Sequence, residues 1–248
     1  MEYTEYKNKV IKSGEEAFNA ILNRKCKPFE IKNKTPLMIE YARHGENYFN
    51  LNENVVRFMV IGRAPGNFEE KTDCGVINHE NMTVDKNIIE HCFDVHYNEE
   101  DPLSWIHRDD VKRGKRDIDS FPFFSFSKKV YLKLTDQKQD YEWYKNICYS
   151  NIFKIVSLIG GNPSDESMQI QEKYMAEILK TEISHYKPTH ILILDSETDA
   201  HSKSSAGFKK EIKMYAEENG SKICFSNRPE FRKTIDLMAI VDRDYNLK

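Results

Sequence analysis

Apolar runs punctuated by turn-rich loops predict a chain that alternates strands and helices. The clearest run is Val55 to Ile61, nearly continuously apolar, as befits a strand buried on both faces. Ile147 to Ile155, Ile191 to Leu194 and Ile223 to Phe225 read as three more strands of the same kind. Between them, apolar residues recur at three-to-four spacing. Met168, Met175, Ile178, Leu179, Ile183 and Tyr186 mark one helix, which Lys187-Pro188 ends. Phe208, Ile212 and Tyr215 mark another, stopping at Gly220. Asn162-Pro163-Ser164-Asp165 predicts the start of the first, with Asn162 as N-cap and Pro163 in the first turn.

The amino-terminal stretch, Glu2 to Asn23, carries Val10, Ile11, Phe18, Ile21 and Leu22 on one helical face; Lys12-Ser13-Gly14 weakens its middle and is compatible with two helices. Leu37 to Ala42 reads as a short strand or turn, and Lys128 to Leu134 as amphipathic. A final apolar stretch runs from Ile235 to Val241. Residues 68–120 are polar and weakly periodic, with one short helix expected near Ile88-Ile89 and Cys92-Phe93; the rest reads as a long insertion or lid. The order of elements predicts an α/β fold with three α/β/α layers around a central, mostly parallel four-stranded sheet. The chain, 248 residues, is expected to form one such domain over 1–248. In sheets of this kind ligands bind beyond the carboxyl ends of the strands, so the loops at Gly62–Asn67, Asn151–Asn162 and Ser226–Arg232 draw attention first.

Composition narrows the partners. A net charge of −3 is far from the basic balance of proteins that grip long duplexes, so any nucleic-acid contact must come from local patches. Lys112, Arg113, Lys115 and Arg116 form one such patch, either a solvated loop or a set of phosphate contacts. Fourteen Phe and thirteen Tyr suit a core and equally a pocket that stacks planar ligands. Five scattered cysteines without a C-x-x-C pair, and a polar start at Met1–Lys9, predict a reducing, cytoplasmic location and no membrane anchor. His79, His91, His96 and His107 match no metal-ligand spacing, so neither metal nor other cofactor is expected.

Gly62-Arg63-Ala64-Pro65-Gly66 after a buried strand resembles the first motif of the uracil-DNA glycosylase superfamily, G-E-A-P-G in one branch. Tyr149 to Lys154 with Gly161-Asn162-Pro163, Phe121-Pro122-Phe123-Phe124, and Ser226-Asn227-Arg228-Pro229-Glu230 are similar to later motifs of that branch, in the same order. The resemblance spans roughly residues 55–232. It implies a DNA glycosylase that cuts the N-glycosidic bond of uracil or another damaged base, acting as a monomer on single- or double-stranded DNA. It also implies roles: Phe123 (or Phe124) as stacking ring, Asn151 as the amide reading the base edge, and Gly62 to Gly66 as backbone close to base and sugar.

The chain departs from the family where hydrolysis is concerned. Arg63 and Ala64 stand where family members carry the carboxylate or amide that positions water. Arg228 stands near the place of the His that stabilises the leaving base, a task suited to a permanently charged planar donor. Asn67, Glu69 and Glu230 are the substitutes for positioning water, being in the same loops. The alternative is a protein that holds nucleic acid or a nucleotide without cutting it. Structural roles remain open too: Gly62 to Gly66 as a tight turn, Asn151 as a strand-end cap, and Phe121 to Phe126 as core.

Overall fold

The computed structural model describes residues 1–25, 27–50, 55–64, 76–78, 80, 82–98, 103, 122–139, 142–157, 162–195, 204–231 and 233–247. Helix α1 (Tyr3–Leu22) is continuous and buries Tyr6, Val10, Ile11, Gly14, Ala17, Phe18, Ile21 and Leu22. It does not break at Gly14 because that glycine serves packing: a Cβ there would lie 2.6 Å from the Tyr41 hydroxyl and 2.8 Å from Ile39. A short α2 (Phe29–Lys32) follows, then β1 (Leu37–Ile39), β2 (Arg43–His44) and β3 (Phe58–Gly62). Next come β4 (Ile77–Asn78), β5 (Thr83–Val84), α3 (Lys86–Asn98) and α4 (Pro122–Leu134). The chain continues through β6 (Ile147–Asn151), β7 (Ile155–Ser157), α5 (Asp165–Tyr186), β8 (His190–Leu194), α6 (Ala206–Glu218), β9 (Lys222–Ser226) and α7 (Thr234–Tyr245).

Among the described residues the main sheet has five strands in the order β2-β6-β3-β8-β9. The four expected strands, β3, β6, β8 and β9, are mutually parallel, and β2 adds an antiparallel edge beside β6. The expectation of four strands is thus corrected to five. The run Ile147–Ile155 is also two strands, because the chain turns after Asn151 and β7 pairs with β1 instead. The short helix expected near Ile88-Ile89 and Cys92-Phe93 is α3, which delivers Ile89, Cys92 and Phe93 to the core, and within the stretch expected as insertion or lid β4 and β5 pair antiparallel.

Alternation along each strand sends side chains to two cores. Met59, Ile61, Cys148, Ile191, Ile193 and Ile223 pack with α1, α3, α5 and α6. Phe58, Val60, Ile147, Tyr149, Leu192, Leu194 and Cys224 pack with α4 and α7 on the other face. Helices therefore cover both faces of a mostly parallel sheet. No helix among the described residues is long and apolar enough to cross a membrane. Helix α5 begins at Asp165 with Ser164, not Asn162, as N-cap; the Ser164 hydroxyl accepts from the Ser167 N–H. A tertiary contact decides that start: the buried Glu30 carboxylate accepts from Ser164 N (2.6 Å), Ser164 Oγ (2.7 Å) and Ser167 Oγ (2.8 Å).

Burial lowers the pKa of three histidines, His44, His185 and His190, and the last two carry the large shifts that tie stability to pH. His185, in the last turn of α5, stacks on Tyr6 at 4.1 Å and meets the Tyr97 hydroxyl through Nε2 at 2.9 Å. Burial pulls its pKa down to about 4. His190, edge-on to Tyr245, is pulled down to about 4 by burial and then by Lys222. In the unfolded chain both rings take up a proton near pH ~6.5. Between there and about pH 4 the unfolded state binds more protons, so stability falls as pH falls through that window. Allowing for their partial exposure, the loss is about 1–2 kcal/mol per histidine. Urea midpoints at pH 7, 6, 5 and 4 will show it, and His185→Gln with His190→Gln will make the curve shallower, leaving the part that comes from His44. An equal slope in the double variant would assign the effect elsewhere.

Candidate functional site

In chain order the parallel strands run β3, β6, β8, β9, but β3 lies between β6 and β8 in the sheet. The connection from β3 goes to one side and the return to β8 passes to the other, a switch point of the kind at which ligands bind beyond the carboxyl ends of the strands. Gly62 ends β3 and Asn151 ends β6, opposite one another in parallel register. The pairing is prolonged beyond the strand, where Ile152 N donates to Gly62 O and Phe153 N to Arg63 O, both at 2.8 Å. That pins the end of β6 against the end of β3.

Phe123, half-buried in the first turn of α4, completes the group. Its ring stands edge-on to Phe124 (4.9 Å) and to Tyr149 (6.1 Å). A Cβ on Gly62 would lie 3.5 Å from the Phe123 ring and 2.7 Å from Asn151 Oδ1. The absence of a side chain at Gly62 is thus what lets the phenyl ring and the amide approach the same backbone. Gly62, Phe123 and Asn151, expected to meet, are in contact range of one point.

Asn151 is 2% exposed, and its amide is engaged on both sides. Nδ2 donates to Glu40 Oε2 at 3.0 Å, and Oδ1 accepts from the Tyr149 hydroxyl at 3.1 Å. Glu40 follows β1, is itself buried, and lies 3.3 Å from Arg43 Nη2, which supplies its counter-charge. Burial first, and then the Glu40 carboxylate, push the Tyr149 phenol above its ordinary pKa, so it stays a protonated donor.

Beneath this group lies a buried ion pair. Lys154 Nζ approaches Glu182 Oε1 at 2.9 Å and Oε2 at 3.0 Å, with both side chains fully buried. Ser150 Oγ accepts from Lys154 (2.6 Å) and donates to Glu182 (2.8 Å), while Ala42 N donates to Glu182 at 3.0 Å. The network fastens residues 40–43 and the turn after β6 to α5, flanking Asn151 on either side in sequence.

The other expected residues are distributed as follows. Arg63 is buried and its Nε donates to Asn162 Oδ1 at 3.3 Å. Ala64 packs against Met38 and Val156. Arg228 follows β9 and pairs with Glu230 at 2.8 Å; the turn Pro229–Phe231 that begins beside it packs on α4. Pro65, Gly66, Asn67, Glu69, Lys112, Arg113, Lys115 and Arg116 lie outside the described residues. Among the described residues no group of three or more His, Cys, Asp or Glu side chains is placed to hold a metal ion.

Sequence reasoning missed Glu40, Arg43 and Tyr149 as partners in this site, and Asp195, which directly follows β8. Asp195 is buried, and its Oδ2 accepts from Ser204 N (3.1 Å) and Ser204 Oγ (2.7 Å) beside Lys209 (3.3 Å), fixing the start of α6. Its position after Leu194 was the available signal, since a polar residue ending a buried strand lies at the carboxyl edge of the sheet. Glu40 offered no such signal. No protein-family model matches the chain, and no curated protein does.

Proposed function

We propose that the carboxyl edge of the sheet is a nucleobase pocket, and that the protein is a divergent DNA glycosylase excising uracil or another damaged base. The observation that carries the reading is the convergence of Gly62, Phe123 and Asn151. An extruded base needs an aromatic ring to stack on, a polar group to read its edge and backbone that comes close. The parallel sheet with helices on both faces fits a uracil-DNA glycosylase-like fold, and the four motifs follow that superfamily's order. Arg228 would stabilise the departing base as an anion, and Asn67, Glu69 or Glu230 would position the attacking water. Lys112, Arg113, Lys115 and Arg116 would meet phosphates, making affinity salt-dependent.

A second reading, a protein that holds the base without cutting, is favoured by one specific arrangement. Arg63 is bonded to Asn162, Ala64 is packed against Met38 and Val156, and Glu230 is paired with Arg228. None of the three offers a carboxylate free for water.

Labelled single- and double-stranded oligonucleotides containing uracil, hypoxanthine or xanthine, treated with alkali to reveal abasic sites, decide between the two. The expected result is strand cleavage by the unmodified protein, reduced at least ~100-fold in Asn151→Ala and in Arg228→Ala. Binding without cleavage would transfer the conclusion to the second reading. Neither binding nor cleavage would overturn both.

A further inference from the structure

We propose that Glu40 is a positioning residue that locks the Asn151 amide in one orientation and so sets which base edge the site accepts. The inference rests on the nucleobase reading of the site and adds its selectivity. An asparagine amide is nearly symmetrical in shape but opposite in chemistry at its two ends. A free amide turns over to suit either pattern of donor and acceptor.

Here it is not free to do so. Glu40 is a carboxylate that only accepts, paired with Arg43 at 3.3 Å, so the amide end facing it at 3.0 Å must be the NH2. The Tyr149 hydroxyl at 3.1 Å then meets the oxygen as a donor, the only role left on that side. Burial of all three groups raises the cost of the reversed arrangement, which would set carbonyl oxygen against carboxylate.

Hydrogen-bond capacity remains after those contacts. Nδ2 keeps one N–H and Oδ1 keeps one lone pair, and Oδ1 is the atom 2.7 Å from the Cβ position of Gly62. On the nucleobase reading, these two are what a base meets: one donor and one acceptor, in an order that Glu40 and Tyr149 fix. Lactam edges, as in uracil and hypoxanthine, carry C=O beside N–H; the edges of cytosine and adenine carry NH2 beside a bare ring nitrogen. The two patterns are complementary opposites. A base oriented by stacking on Phe123 is accepted with one pattern and refused with the other, and on the function proposed above the accepted pattern is the lactam.

Free bases serve as probes because they cannot be cleaved. Uracil against cytosine, and hypoxanthine against adenine, are titrated into the unmodified protein and into Glu40→Gln, following amide shifts by NMR. Glutamine keeps the size of Glu40, but with its oxygen toward the Arg43 guanidinium it turns an NH2 toward Asn151, so the Asn151 NH2 is no longer held on that side. The unmodified protein is expected to prefer the lactam of each pair by about tenfold or more, and Glu40→Gln to reduce that ratio to about threefold or less.

A merely structural Glu40 would lower the melting temperature of the variant and leave the ratio unchanged; that result would overturn the inference, as would binding of all four bases with equal affinity by the unmodified protein. Should Glu40→Gln fail to fold, the Asn151 side-chain amide of the unmodified protein gives the same answer. One of its protons is expected to exchange slowly with solvent while the other responds to uracil. Two protons exchanging alike would overturn the lock. If none of the four bases binds, the nucleobase reading itself fails and takes the inference with it, which separates that failure from the failure of the lock.

Discussion

Lys154→Met is expected to destabilise the protein by about 3–5 kcal/mol, read as a fall in the urea midpoint. The ammonium and the Glu182 carboxylate are both fully buried, 2.9 Å apart, so removing the cation strands an uncompensated charge in the core. Glu182 would keep Ser150 Oγ and Ala42 N as donors, which satisfy its lone pairs but not its charge. Methionine fills nearly the volume of the lysine stem, so little of the loss comes from a cavity. The double variant Lys154→Met with Glu182→Gln is expected to recover most of the stability, because glutamine removes the stranded charge and keeps an acceptor for Ser150 Oγ and Ala42 N. The two measurements together distinguish a stranded charge from lost packing. A single variant within about 1 kcal/mol of the unmodified protein would show that water or another group reaches Glu182 once the lysine is gone. Since Ser150 and Lys154 flank Asn151, base binding is expected to weaken in the single variant and return in the double.

The same region shows why parts of the molecule were readable in the sequence and parts were not. The four parallel strands announce themselves because strands buried on both faces must be apolar throughout, and each such run is flanked by polar turns. β2 has only two residues, Arg43 and His44, and neither carries a strand signal; it exists because β6 offers it an unpaired edge. Gly14 looked like a helix break because propensity is local, whereas the close approach of Tyr41 and Ile39 that calls for glycine is tertiary. The cap of α5 shifted from Asn162 to Ser164 for a related reason, since Glu30 lies 134 residues away in sequence. Gly62, Phe123 and Asn151 could be named from motif order and strand context. Glu40 could not, because an acid after a three-residue strand has no spacing that points to an amide 111 residues further on.

Gly62→Ala is expected to reduce base binding and any cleavage at least ~100-fold, the scale on which displacement by about an ångström disables a site. The added methyl would stand 2.7 Å from Asn151 Oδ1, closer than real carbon contacts allow. Asn151 has little room to retreat, as its amide is held at one end by Glu40 and at the other by Tyr149, all within a buried network. The Phe123 ring, at 3.5 Å and only half-buried, is the softer neighbour, but moving it removes the stacking surface itself. Both ways of relieving the contact therefore damage the pocket, at a stability cost of about 1–3 kcal/mol for overpacking. Anisotropy titration of labelled oligonucleotides, run beside urea unfolding, measures the two effects separately. Arg228→Ala provides the contrast: its ion pair with Glu230 is about 30% exposed, so it is expected to lose cleavage while folding and base binding are nearly retained. If Gly62→Ala folds and keeps full affinity, the base does not lie between Phe123 and Asn151, and the carboxyl edge of β3 is not the binding site.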